Sequence, residues 1–266
     1  MKLTAYVLFC SVLVSALVFS QETREVRKTV PLNRDGRVSI DTYKGSVKVE
    51  TWEKSEVEIV ATIEAEDWGR YSDDKVRETE IKISDSPGSV RIQTDYDGIR
   101  KRSGSFWGIF NGDTGSLPYV HYVIKMPSTA ALRIKDYKSE VDIRNLAARI
   151  DLNTYKGSVD VTGLSGAMDL ETYKGTCRIE FSSFPSASSF ETYKGDIDLV
   201  FPQSAGFTLD ADLGRRGDFD SDFSLASSRT SRSRSKNRSS YDGDVNGGGP
   251  TLRLRTDKGN FRVLHK

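Results

Sequence analysis

The sequence predicts an all-β protein, a right-handed parallel β-solenoid of roughly 18–20-residue coils, and three observations predict it. A phrase centred on TYKG recurs along the chain, alternating apolar strands flank each copy, and the copies keep an even spacing. The copies are DTYKGSVKV from Asp41, NTYKGSVDV from Asn153, ETYKGTCRI from Glu171 and ETYKGDIDL from Glu191. Looser versions are KDYKSEVDI from Lys135 and RTDKGNFRV from Arg255.

Side chains alternate faces along a strand, so Ile150, Leu152 and Thr154 share one face, and Val159 and Val161 continue it after the turn. The same frame holds Val38/Ile40 with Val47/Val49, Leu132/Ile134 with Val141/Ile143, and Met168/Leu170 with Cys177/Ile179. It holds again at Phe190 with Ile197/Leu199 and at Leu252/Leu254 with Phe261/Val263, and degenerate units start at Ile81 and Phe207. The central frames begin at residues 132, 150, 168, 188 and 207, in steps of 18, 18, 20 and 19. One such unit is too small to bury its own apolar face, so units must stack. Right-handedness follows from the general preference of parallel crossovers. An antiparallel β-sandwich is the alternative, because evenly spaced short strands also suit it.

From the N-terminus, MKLTAYVLFCSVLVSALVFS carries one basic residue, Lys2, before an apolar run, and residues 1–20 are expected to be a secretory signal peptide. An anchor retained in the membrane is the rival reading. Residues 21–266 are expected to form one β-solenoid domain with insertions at about 97–118 and 222–249. The first insertion carries Phe106, Trp107 and Phe110, either an exposed apolar tip or a cover for the solenoid. The second contains SSRTSRSRSKNRSS, Ser227 to Ser240, and its low complexity predicts a mobile surface loop. Glycines of the YKG slot, Gly45, Gly88, Gly157, Gly175, Gly195 and Gly259, are expected to supply positive φ at the corner; Ser139 departs from the pattern and predicts a different corner.

The whole chain has 39 basic and 38 acidic residues, and loss of Lys2 with the signal leaves 38 of each. A neutral chain offers no global attraction to nucleic acid. Cys177 is the one cysteine beyond the signal, so no internal disulfide is expected, and its place in a valine slot reads as core. The two histidines, His121 and His265, come with no serine elbow or cysteine motif, and no His/Cys spacing suggests a metal. Carboxylates are the stronger catalytic possibility. Stacking brings equivalent residues to about 4.8 Å, so Glu171 and Glu191, or Asp142 and Asp160, become neighbours at a spacing near that of a glycosidase pair. A solvated charge ladder with the repeated lysines explains the same pattern without chemistry.

What remains is a candidate binding stripe of Tyr43, Lys44, Tyr137, Lys138, Tyr155, Lys156, Tyr173, Lys174, Tyr193 and Lys194. Such a stripe either stacks on sugar rings or holds acidic polymers, or else shields the strand corners as scaffold.

The TYKGSVKV-type units, the stretch YVIKMPSTAALRI from Tyr122 to Ile134, and GGGPTLRLRTDKGNFRV before the last strand resemble the putative-adhesin domains of exported bacterial proteins, a domain of unknown function. That resemblance implies a β-helical fold, an envelope or extracellular location, and no established catalytic residues to transfer. The expected function is therefore a non-enzymatic exported cell-envelope or surface protein, an adhesin-like interaction module. Alternatives are a carbohydrate-active enzyme and an envelope-stress or regulatory sensor. No cofactor, nucleic-acid partner or transmembrane segment after signal removal is expected; the expected partner is an envelope polysaccharide or another envelope protein.

Overall fold

The computed structural model describes residues 23–66, 72–102, 116–214, 216–233 and 238–266. The expected signal segment and Phe106, Trp107 and Phe110 lie outside these residues.

The chain opens with β1 (Thr23–Pro31), β2 (Arg37–Asp41), β3 (Lys44–Trp52) and β4 (Glu56–Glu64), then helix α1 (Ser72–Glu78), β5 (Glu80–Ser86), β6 (Ser89–Asp95) and helix α2 (Asp97–Arg102). β7 (Tyr119–Pro127) leads into closely phased pairs: β8 (Ala131–Asp136) with β9 (Lys138–Arg144), β10 (Ile150–Thr154) with β11 (Ser158–Leu164), β12 (Met168–Thr172) with β13 (Thr176–Phe181), and β14 (Ser188–Thr192) with β15 (Asp196–Phe201). β16 (Phe207–Leu213), β17 (Asp218–Ser221), β18 (Ala226–Ser233), β19 (Arg238–Val245), β20 (Thr251–Thr256) and β21 (Asn260–His265) follow.

Each TYKG corner passes the chain from one sheet to the other. The first strands of the pairs join an 11-stranded sheet ordered β18-β19-β16-β20-β14-β12-β10-β8-β2-β6-β5, and the second strands a 10-stranded sheet ordered β1-β4-β7-β3-β9-β11-β13-β15-β21-β17. Ile150 pairs with Leu132 on one side and Met168 on the other, and Val159 with Val141 and Cys177, all in parallel. Equivalent residues of successive repeats are thus in register, and these central strands do not form an antiparallel sandwich. Antiparallel pairs occur towards the ends: β1 with β4, β4 with β7, β5 with β6, and β19 with both β16 and β18. The inward faces of both sheets merge into one apolar cluster that contains Ile150, Leu152, Val159, Val161 and Cys177. Within it Phe181 stacks on Phe201 at 4.8 Å, with Phe184 edge-on to both.

The order of the repeats departs from the sequence. The unit starting at Phe207 does not follow the Ser188 unit in space; β20 and β21 pair with β14 and β15 and separate them from β16 and β17. The reason lies in the corners. RTDKG keeps the threonine and glycine of the repeat and Gly259 packs against Gly195, whereas the Phe207 unit has Leu213 in the threonine slot and one more residue before Gly217, which lies beside Gly259.

Three further expectations are corrected. The Ile81 unit is an antiparallel hairpin, β5–β6, that turns at Pro87 and Gly88, and only β6 joins the parallel series, beside β2. The Arg/Ser-rich segment is not a loop throughout: β18 and β19 pair antiparallel along β16, whose free edge supplies the ladder groups that order them. Positive φ is also not what the repeated glycines supply, since only Gly45 in that slot adopts it, at 126°. A Cβ on Gly157, Gly175, Gly195 or Gly259 would lie 2.0 to 2.5 Å from the carbonyl oxygen one coil before, at Ser139, Gly157, Gly175 and Gly195 respectively. Glycine is required there by the close approach of stacked backbones.

Candidate functional site

The corner residues set the site. In three of the TYKG-type corners the threonine hydroxyl accepts the glycine N–H: Thr154 from Gly157 at 3.0 Å, Thr192 from Gly195 at 2.7 Å and Thr256 from Gly259 at 2.7 Å. These threonines are buried, so a hydroxyl that faces the core holds the turn that presents the next two residues. The lysine N–H of each corner donates to the tyrosine carbonyl one coil before. Lys138 donates to Tyr43, Lys156 to Tyr137, Lys174 to Tyr155 and Lys194 to Tyr173, at 2.8 to 3.0 Å.

With the backbone so fixed, the tyrosines stack. Ring centroids of Tyr43, Tyr137, Tyr155, Tyr173 and Tyr193 follow one another at 4.7, 5.1, 4.7 and 4.9 Å, with interplanar angles no greater than 15°. Tyr96 closes one end edge-on to Tyr43 at 6.3 Å. At the other end Asp257 replaces the tyrosine, and Lys258 reaches back, its Nζ donating to the Tyr193 hydroxyl at 2.7 Å and lying 4.7 Å from that ring's centroid. Ring faces inside the run are occupied by neighbouring rings. What the ladder shows to solvent is a row of ring edges, with Tyr137, Tyr155 and Tyr173 each 36 to 39% exposed.

The lysines divide. Lys138, Lys156, Lys174 and Lys194 are exposed beside the ladder, and Lys156 lies 5.2 Å from the centroid of Tyr155. Lys44 does not belong with them. It is buried, paired with Glu66, hydrogen-bonded to Ser116 Oγ at 2.7 Å and 4.4 Å from the centroid of Tyr119. Burial pushes the Glu66 carboxyl up, but hydrogen bonds from Lys44 and Tyr119 outweigh it and hold the group below the usual carboxylate range.

A groove of about 940 Å³ runs along the ladder's flank, lined by Tyr155, Tyr173, Tyr193, Glu171, Glu191 and Asp257 among others. Glu171 and Glu191 are register neighbours, as are Asp142 and Asp160. Their partners differ from the expected lysines: Asn153 donates to Glu171 at 2.7 Å, and Arg144 pairs with Asp142 at 3.0 Å. At the groove's far wall Arg255 sits between Glu191 and Asp212 in the ladder and binds Asp210 with both terminal nitrogens at 3.0 Å. Among the described residues, no group of three or more His, Cys, Asp or Glu side chains is placed to hold a metal ion.

Two features escaped the sequence. Asp136 occupies the threonine slot of its repeat and accepts from the Ser139 N–H at 2.8 Å, the Ser139 hydroxyl at 2.5 Å and the Thr154 hydroxyl at 2.8 Å, which explains the serine in the glycine slot. The paired departure, Asp for Thr and Ser for Gly, was the available signal. His121 also has neighbours that sequence spacing does not reveal: Ser46 Oγ lies 2.8 Å from Nδ1, and Glu64 3.7 Å from Nε2. The three sit on the outer face of the adjacent strands β3, β7 and β4.

The family model for the Toastrack domain, DUF4097, matches residues 3–264. The chain belongs to the Toastrack DUF4097 family. Among solved structures, this Toastrack chain is similar to a putative cell adhesion protein from Clostridium sporogenes, with 13% identity and a TM-score of 0.47 over 92% of this chain and 100% of that one. It is also similar to a putative adhesin from Bacteroides fragilis (10% identity, TM-score 0.29, 91% and 97% covered) and to one from Parabacteroides distasonis (9% identity, TM-score 0.24, 91% and 97% covered). No curated protein matches the sequence. No helix among the described residues is long and apolar enough to cross a membrane.

Proposed function

We propose that this Toastrack chain is an exported, non-enzymatic, adhesin-like surface module, wound as a right-handed β-solenoid, whose corner groove holds an extended hydroxyl-rich polymer such as an envelope polysaccharide. The solenoid reading is supported by in-register parallel pairing of successive repeats on both sheets, and the export reading by the apolar N-terminal segment. The observation that carries the binding proposal is the groove beside the tyrosine ladder. Because the ring faces are engaged with one another, a sugar meets phenol hydroxyls and the carboxylates of Glu171 and Glu191 edge-on. These recur at the coil spacing of about 4.8 Å. Hydrogen bonds repeated at that interval suit a polymer lying along the coils. Glu171 and Glu191 are exposed to water on an outer strand face, which favours binding over cleavage.

The test is retention of the purified mature chain on insoluble envelope polysaccharides. Tyr155→Phe/Tyr173→Phe keeps the stacked rings but removes two hydroxyls, and Glu171→Gln/Glu191→Gln removes two charges. Both double variants should elute earlier while unfolding at the parent's temperature. Unchanged retention of both would reduce the ladder to scaffold. Release of soluble sugars that Glu171→Gln abolishes would make the chain an enzyme instead, and capture of one specific protein with no glycan retention would make it a sensor.

A further inference from the structure

A second site lies on the 11-stranded sheet, on strands that do not line the ladder groove. Its centre is Ser39 on β2. In the ladder Ser39 pairs with Arg91 on β6 and with Arg133 on β8, so a short side chain stands between two arginines at one strand spacing, about 4.8 Å, on each side. Arg37, two residues before Ser39, points to the same face, and Lys135 is the direct register partner of Asp41, diagonal to Ser39. The hollow so formed has a volume of about 430 Å³ and is lined by Arg37, Ser39, Asp41, Arg91, Arg133 and Lys135, with Ser89 and the backbone of Ile40. Four cations thus face one carboxylate within it. From outside, Asp151 stands 3.7 Å from Arg133. All four cationic residues are exposed.

We infer that this hollow is a binding site for a single tetrahedral oxyanion, a phosphate group. Guanidinium groups that approach from three directions over a small hydroxyl-bearing floor match the several oxygen pairs of a phosphate, which arginine binds in bidentate fashion. The charge pattern of the sheet sets the size of the ligand. One strand beyond Arg133 the face turns acidic, with Asp151 and Asp169 in the same row and Glu171 in the next, so a long polyanion laid across the coils meets repulsion. One phosphate at the end of a larger molecule, or free in solution, does not.

Calorimetric titration of the whole mature chain with inorganic phosphate at low ionic strength tests the site. Saturable binding is expected, weakening as monovalent salt rises. Arg91→Gln/Arg133→Gln should lower the affinity at least tenfold, and Ser39→Asp, which adds a charge to the floor, should do the same. Arg178→Gln, on the other sheet, serves as the control and should bind as the parent does. Co-sedimentation with phosphatidylcholine vesicles containing phosphatidic acid separates the sources. Loss of vesicle binding in the double variant assigns the phosphate to a lipid headgroup; binding of soluble phosphate alone assigns it to a small molecule. Equal phosphate affinity in the parent and the double variant overturns the inference. So does the absence of saturable binding, or acetate bound as tightly as phosphate.

Discussion

Tyr43 and Tyr137 stack with centroids 4.7 Å apart and ring planes 2° from parallel, although β3 to β8 and helices α1 and α2 intervene in sequence. The contact exists because β2 and β3 pair directly with β8 and β9, which makes the first repeat part of one continuous ladder. A ring in the middle of that ladder has two stacked neighbours. Stacked aromatic pairs contribute about 0.5–1.5 kcal/mol each beyond burial, so Tyr155→Ala should lower unfolding free energy by about 2–3 kcal/mol and Tyr155→Phe by well under 1. Urea unfolding followed by circular dichroism checks both. Equal losses for Ala and Phe would assign the effect to the hydroxyl.

Gly175→Ala tests the corner packing. The added methyl would lie 2.0 Å from the Gly157 oxygen, a backbone atom that cannot move without moving its coil. A loss above about 2 kcal/mol is expected. Gly88→Ala, with nothing within 4 Å of the new atom, should change stability by about 0.5 kcal/mol or less and in the stabilising direction.

Asp136 and Ser139 should behave as a unit. Asp136→Ala strands the Ser139 N–H and two hydroxyls in a buried corner, at a cost of about 3 kcal/mol. The double variant Asp136→Thr/Ser139→Gly restores the corner of the other repeats and should recover most of what each single variant loses. A double-mutant cycle with coupling below about 0.5 kcal/mol would contradict this.

Acid should loosen the protein at specific carboxylates. Burial raises Asp210, but hydrogen bonds from Arg253 and Arg255 outweigh it, so Asp210, like Glu66, ionises at lower pH folded than unfolded. The unfolded chain therefore takes up protons first. Stability is fully present above the unfolded values, about 3.9 for Asp and 4.3 for Glu, and falls as pH drops through the folded ones. Denaturant midpoints measured from pH 6 to pH 3 should decline below about pH 4.5, and Glu66→Gln should make that decline shallower while lowering the midpoint at pH 6.

Cys177 offers a clock for local opening. Burial pushes its thiol up to about 12, and it is closed off between Val159 and Ile197. Iodoacetamide at pH 8 should leave it unmodified in the native protein and label it within minutes in 6 M urea. Rapid native labelling would show that coils part at this point.

The core was legible in the sequence because alternation and period are local signals: Val159, Val161, Ile150 and Leu152 lie where the frame puts them. So were the stacked tyrosines, since residues at one phase of a parallel repeat must meet. Period does not say which coils are neighbours, however. The placement of β20–β21 before β16–β17 goes with the corner that keeps the repeat's threonine, Thr256 against Leu213, and Lys44 leaves the stripe because Glu66 and Tyr119, on segments outside the repeat, enclose it. Ser46, His121 and Glu64 meet only through the pairing of β3 and β4 with β7, which no periodicity encodes.

The position of β20 and β21 also bears on how the stack assembles. Their place between β14–β15 and β16–β17 stays vacant until the residues from Thr251 to His265 pair into it, and until then two strand edges stand open towards each other. These two strands act as a keystone slid in from the side, so that end of the stack cannot set before they arrive.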